Sequence, residues 1–289
     1  MQEKAFRLDT SDARVFLELD QLYQKLQVSS EERYELFEKH KELIYRRDDL
    51  YTEYVTLLNL MGKHEQAHEA IVSHDFQTWE GAEGKITAQF KTALLEMAKE
   101  ALSENEAERA QKLLLEALSY PKNLGEGRLE GTRDNHLYYT LGLAYEKLGE
   151  EKKAAECFEK ATLGAMEPAG MMYYYDQPAD MILYQGLAKE KQGSRKEANA
   201  RFYKLLDYGE MHLRDTFKMD YFAVSMPDMS VFDADMTEKN RIHCYYLMGL
   251  GKLGLGRKAE AAEDFKKALS LDRNHQNAAI YLKMTLETQ

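Results

Sequence analysis

Small and apolar residues recur at fixed offsets along this chain. The strings Tyr-Tyr-Thr-Leu-Gly-Leu-Ala-Tyr-Glu-Lys-Leu-Gly (138–149), Ile-Leu-Tyr-Gln-Gly-Leu-Ala-Lys-Glu-Lys-Gln-Gly (182–193) and Tyr-Tyr-Leu-Met-Gly-Leu-Gly-Lys-Leu-Gly-Leu-Gly (245–256) align without gaps. Each holds two glycines seven apart; Ala154, Ala198 or Ala261 follows five residues past the second, and Phe158, Phe202 or Phe265 comes four further on. These offsets predict two antiparallel helices, A and B, joined by a tight turn. A small residue at the eighth position (Gly142, Gly186, Gly249) lets helix A approach helix B, and alanine at the twentieth leaves room from the other side. Glycine at the fifteenth suits the left-handed conformation of a helix cap.

The same frame fits weaker copies beginning near Ala13, Asp48 and Lys91, whose twentieth positions are Glu32, Ala67 and Ala110. Ser29 with Glu32, Ser103 with Glu106 and Ser194 with Glu197 have the capping-box spacing ahead of B helices. In these features the chain resembles the tetratricopeptide repeat, a helical hairpin of about 34 residues. The expected fold is an all-α solenoid in one domain. Its repeats lie near 13–46, 48–81, 91–124, 135–168, 179–212 and 242–275, with a capping helix over 276–287. Only four prolines interrupt the chain, so long helices are permitted nearly everywhere.

The surplus residues lie between one helix B and the next helix A, at 82–90, 125–134, 169–178 and 213–241. Such insertions crowd one edge of a solenoid, where repeat proteins place binding surfaces. In or beside them stand Trp79, Glu80, Asn123, Glu126, Tyr174, Tyr175, Asp176 and Tyr221. The plain alternative is that the aromatics cap hairpins and fill space between helices. The longest insertion, with Phe217, Tyr221, Phe222, Val231 and Phe232, is too apolar for a disordered loop and is expected to be ordered.

Charge narrows the partners. Against 39 Lys and Arg stand 50 Asp and Glu, a net charge of -11 that repels phosphate backbones and anionic lipid surfaces. Nucleic acid and membranes are therefore excluded as expected partners. No apolar run approaches the roughly 20 residues that span a bilayer, and the N-terminus lacks the apolar stretch of a secretory signal. Cys157 and Cys244 form no C-x-x-C pair and fit a reducing compartment. The expected location is cytoplasmic.

Four strings point to something narrower: Trp-Glu-Gly-Ala-Glu-Gly (79–84), Tyr-Pro-Lys-Asn-Leu-Gly-Glu-Gly (120–127), Asp-Tyr-Phe-Ala-Val-Ser (220–225) and Asn-Arg-Ile-His-Cys (240–244). They resemble the C-terminal tetratricopeptide array of large bacterial proteins whose N-terminal part is a galactose-mutarotase-like β-sandwich of unknown function. That resemblance implies a helical array attached to a sandwich of a type found on carbohydrate-acting proteins, and it implies no established activity.

Two motifs invite a catalytic reading that the repeat frame opposes. His64-Glu65-Gln66-Ala67-His68 has the H-E-x-x-H spacing of a zinc site, yet Ala67 is the small buried residue of a helix B and His64 falls at its start. Gly249-Leu250-Gly251-Lys252-Leu253-Gly254 has the G-x-G-x-x-G spacing of a dinucleotide site, yet it occupies a helix A with no strand before it. No catalytic residue, metal or cofactor is expected.

The groove-facing second, fifth and ninth positions of the last three A helices are His136, Tyr139, Leu143; Asp180, Leu183, Leu187; and His243, Tyr246, Leu250. This aromatic and aliphatic set lacks the Lys, Arg and Asn of a carboxylate clamp. It suits an apolar peptide, a helix of the parent protein or the flat face of a sugar.

The sequence reading is thus a non-catalytic interaction or scaffold module. Its partner is a protein segment or a missing N-terminal domain of the same polypeptide, and its binding residues are the edge set above together with Asn135, His136, Tyr139, His243 and Tyr246. The alternative is an accessory part of a carbohydrate site, in which Trp79, Tyr174, Tyr175 and Tyr221 stack on sugar and Glu80, Glu126 and Asp176 make polar contacts. Residues 1–10 align with the end of the last helix B, which predicts a hairpin that continues upstream and leaves Phe6 and Leu8 exposed, frayed or covered only by a neighbouring molecule.

Overall fold

The computed structural model describes residues 2–77, 82–170, 177–217 and 235–286. Among them stand fifteen α-helices and no strand. They fall into two compact units. The first comprises residues 2–94 and Tyr120–Gly127 of the described chain, and the second Leu95–Ser119, 128–217 and 235–286.

The first unit holds α1 (Gln2–Leu8), α2 (Ala13–Lys25), α3 (Ser30–Lys39), α4 (Lys41–Ile44), α5 (Asp48–Leu60), α6 (His64–Val72) and the start of α7 (Lys85–Ser103). Its core opens with a run of packed rings. Phe6 is buried, not exposed as its place at the chain's start predicts: its ring lies 5.1 Å from Phe16 and 4.9 Å from His40, and Phe16 in turn meets Phe37 at 4.9 Å. The helix α1 lays its single apolar face on α2, which suffices to remove Phe6 from water while Leu8 stays 80% exposed.

A buried polar cluster replaces the small-residue notch in the first hairpin. The eighth position is Asp20, whose carboxylate takes two bonds from Arg33, Nε at 2.8 Å and Nη2 at 2.9 Å, with both side chains out of water. Gln24 Nε2 bridges Asp20 Oδ2 (2.9 Å) to Glu53 Oε2 (2.8 Å). The guanidinium thus pairs with Asp20, and the Gln24 amide links that pair to Glu53. Burial first, and then the charge of Asp20, push the Glu53 carboxyl above its ordinary range.

The consequence for pH has a definite sign. The folded form holds the Glu53 proton more tightly than the unfolded chain does, so this contribution is complete below the unfolded carboxyl range and is lost as pH rises through the folded value. Glu53→Gln should therefore raise stability near pH 7 and add nothing near pH 4, measured by urea denaturation. An equal gain at both pH values would contradict the assignment.

The second unit holds the rest of α7 from Leu95, then α8 (Ala107–Ala117), α9 (Asn135–Lys147), α10 (Glu151–Ala161), α11 (Met181–Lys191), α12 (Arg195–His212), α13 (Met236–Gly254), α14 (Lys258–Leu271) and α15 (Gln276–Leu286). The notch of the repeat is explicit here. A Cβ on Gly142 or Gly249 would come within 2.5 Å of the Phe158 or Phe265 ring, and one on Gly186 would strike Phe202. Each glycine is the socket for the phenylalanine sixteen residues on. In the hairpins that start near Asp48 and Lys91 the same places carry Val55 with Ile71 and Ala98 with Leu114, so a larger first partner goes with a smaller second one.

The fifteenth position is left-handed throughout. Gly62, Gly149, Gly193 and Gly256 have φ of 74°, 73°, 77° and 74°, and Asn105 and Gln27 adopt 64° and 56° in the other two hairpins. Glycine meets no steric objection there, asparagine little, and glutamine is held against its preference.

Capping departs from the spacing that announces it. Ser29 accepts the Glu32 N–H at 3.2 Å as the capping box requires. Ser103 instead closes the end of α7, donating back to the Glu100 carbonyl at 2.7 Å. Ser194, at φ −93° and ψ 59°, makes no side-chain cap bond. Two A helices also begin before their expected starts, α7 at Lys85 and α13 at Met236. Asp235 explains the second, since its carboxylate accepts from the N–H groups of Thr237 (2.9 Å) and Glu238 (3.1 Å). Residues 218–234 of the long insertion lie outside the described residues.

Candidate functional site

Helices α9, α11 and α13 each present the second, fifth and ninth positions of their repeat to one face of the second unit. His136, Tyr139, Leu143, Leu187 and His243 are half-buried, whereas Asp180, Leu183, Tyr246 and Leu250 are buried. What covers them is α15. Ala278 and Tyr281 belong to one apolar cluster with Leu183, Tyr184, Tyr246, Leu247 and Leu250, and Tyr139, Leu187, Leu282 and Met284 pack at its margin.

Tyr281 sits at the centre of this contact. Its ring centroid is 6.4 Å from Tyr184, 5.9 Å from Tyr246 and 6.1 Å from Phe265. Its hydroxyl donates to Asp180 Oδ2 at 3.2 Å. One turn further, Met284 Sδ stands 4.0 Å from Lys99 Nζ, which is paired with Glu96 at 2.6 Å. Burial pushes the hydroxyls of Tyr184, Tyr246 and Tyr281 up, so each is a neutral donor at any physiological pH.

The histidines of the face are ring-packed. His136 lies 6.0 Å from Tyr184. The His243 ring, 6.2 Å from Tyr208, donates from Nε2 to the Ala169 carbonyl at 3.0 Å, and burial lowers its pKa despite that bond. His275 starts α15 in the same neutral form: burial lowers its pKa, and Nδ1 accepts the Ala278 N–H at 3.1 Å. The face therefore offers aromatic surface and neutral donors, with Asp180 and the Lys99–Glu96 pair as its charged groups.

Several edge residues serve the scaffold. Asn123 Nδ2 donates to the carbonyls of Ile71 (2.7 Å) and His74 (2.8 Å). Asn135 Nδ2 does the same for Ala161 and Leu163, both at 2.7 Å, and Asn240 for His212 at 2.8 Å. In each case an amide satisfies carbonyls left open at or just past the end of a helix B. For Asn135 and Asn240 the signal was an asparagine in the first turns of a helix A, whereas Asn123 stands in the short turn 122–124 past α8. Glu126 accepts the Gly84 N–H on both oxygens, at 3.1 and 3.0 Å, and approaches Thr87 Oγ1 at 3.4 Å at the start of α7. It borders a shallow, partly open pocket lined by Thr52, Phe76, Gln77, Ala82, Ile86 and Leu124, with room for little more than one water. Trp79, Glu80, Tyr174, Tyr175, Asp176 and Tyr221, which carry most of the carbohydrate alternative, lie outside the described residues.

The motif-like strings have packing roles. His64 Nδ1 meets Asn59 Oδ1 at 3.0 Å, Ala67 is fully buried, and the His68 ring lies 5.9 Å from Phe90. Among the described residues no three His, Cys, Asp or Glu side chains come together as a metal-binding set. In Gly249-Leu250-Gly251-Lys252-Leu253-Gly254 every glycine admits a neighbour. Gly249 faces Phe265, Gly251 the α12 backbone at Phe202 and Leu206, and Gly254 the Phe202 ring. Sequence reasoning missed the part of the face supplied by Lys99, Tyr184, Tyr281 and Met284.

Residues 136–163 and 242–275 match the family model for the tetratricopeptide repeat. The chain is also similar to solved structures at low identity. It covers 99% of its own length against a chain of the APC/C hetero-tetramer Cut9–Hcn1, with 14% identity and a TM-score of 0.41, and spans 45% of that chain's length. MamA matches 76% of this chain over 95% of its own, with 18% identity and a TM-score of 0.25. A tetratricopeptide repeat protein from Parabacteroides merdae matches 93% of this chain over 99% of its own, with 18% identity and a TM-score of 0.31. No helix among the described residues is long and apolar enough to cross a membrane.

Proposed function

We propose that this chain is a non-catalytic protein-interaction or scaffold module whose partner surface is the face of the second unit built by α9, α11 and α13. The observation that carries the reading is that this face is aromatic and aliphatic and already packs against a helix, α15, through Ala278, Tyr281, Leu282 and Met284. An amphipathic helix laid in a groove is a recurrent mode of peptide recognition, and its anchors recur at the three- and four-residue spacing seen there. Edge side chains committed to helix-end carbonyls, Asn123 and Asn135, hold the scaffold rather than a substrate.

The test is a calorimetric titration of the full chain with amphipathic helical peptides and, separately, with soluble oligosaccharides. Peptide binding in the micromolar range, near −8 kcal/mol, is expected, weakened about tenfold or more by Leu143→Asp or Leu187→Asp, two half-buried positions of the face. Oligosaccharide binding or glycoside hydrolysis with no peptide binding would replace this reading with the carbohydrate one.

A further inference from the structure

The helix that covers this face is held there in an unusual way. Three of its side chains, Ala278, Tyr281 and Thr285, are buried, and Leu286 remains 73% exposed. Its central contact is polar: Tyr281 donates to Asp180, a buried carboxylate at the N-cap of α11 that makes no cap bond to that helix's own N–H groups. Beside it the Tyr246 hydroxyl is buried next to Asn277 and Tyr281 of α15, so the polar groups of this contact come from α15 itself. The segment ahead of α15 is short and extended at Asp272 (φ −139°, ψ 99°).

We propose that α15 is a displaceable latch, an intramolecular occupant that closes the face until a partner's amphipathic helix with a tyrosine at the place of Tyr281 takes its position. This rests on the interaction reading above and adds to it the identity of the competitor and the chemistry of the partner. The partner that fits presents a small apolar residue three before the tyrosine, where Ala278 joins the buried cluster, and an apolar residue three after it, to reach Lys99 as Met284 does. Its tyrosine hydroxyl meets Asp180, so a phenylalanine in its place forfeits that charge-assisted bond. A ligand shifts such an equilibrium only by binding the open form better, so weakening the latch must strengthen the partner's apparent affinity.

The experiment uses the full chain and a synthetic peptide with the sequence from His275 to Gln289. Amide exchange should show α15 opening at least tenfold more often than α13 and α14. The labelled peptide should bind wild type weakly and bind Tyr281→Ala about tenfold more tightly, while its own Tyr-to-Phe version loses affinity for that variant. Tyr281→Phe, which keeps the ring, should move both readouts the same way by a smaller factor and serves if the alanine variant misfolds. Exchange of α15 only together with α13 and α14 would overturn the latch. Opening of α15 with no peptide uptake would overturn the assigned partner chemistry, and the wider interaction reading would then be judged by the Leu143→Asp and Leu187→Asp titrations alone.

Discussion

Arg33→Met is expected to destabilise the first unit by about 3–5 kcal/mol, because it leaves the Asp20 carboxylate buried with no cation. Asp20 is fully buried and Arg33 is 2% exposed, so water cannot take over the missing guanidinium. The amide of Gln24 remains within 2.9 Å but is shared with Glu53. The double change Arg33→Met with Asp20→Leu should recover most of the loss, since an apolar pair of similar volume carries no desolvation penalty. Amide exchange in α2 and α3 measures both. A loss for Arg33→Met under about 1 kcal/mol, the range of exposed ion pairs, would show that the pair is wet and the cluster has been misread.

Phe202→Ala should cost the second unit about 3–5 kcal/mol. The ring is fully buried and fills two notches at once, that of Gly186 on α11 and that of Gly254 on α13. Removing it opens a cavity between three helices. Gly186→Ala alone should cost about 1–3 kcal/mol, since its methyl meets the ring with no room to yield. The two changes together should cost less than their sum, because the added methyl enters the space the ring vacates. Strict additivity in a thermal or urea double-mutant cycle would mean that Gly186 and Phe202 do not share one volume.

The contrast between these two predictions marks how far the sequence reaches. The Gly186–Phe202 notch, its counterparts in two other hairpins and the left-handed fifteenth position were legible because the partners lie within one hairpin. At that range helix geometry converts sequence offsets directly into contacts. The A-helix face of the second unit was legible for the same reason, since a fixed repeat position always points the same way. The Asp20–Arg33 pair was not, although it too is local: an acidic residue at a small-residue position breaks the pattern without naming what compensates it. Capping spacing misled at Ser103 because its hydroxyl had a nearer acceptor in the helix it ends. Burial of Phe6 required knowing that α1 folds back on α2. Tyr281 with Asp180 and Lys99 with Met284 join residues 101 and 185 positions apart. Periodicity states which face of a helix is buried, but only the tertiary arrangement decides which distant face covers it, because contacts between residues so far apart in the chain are set by the packing of whole helices rather than by any local preference.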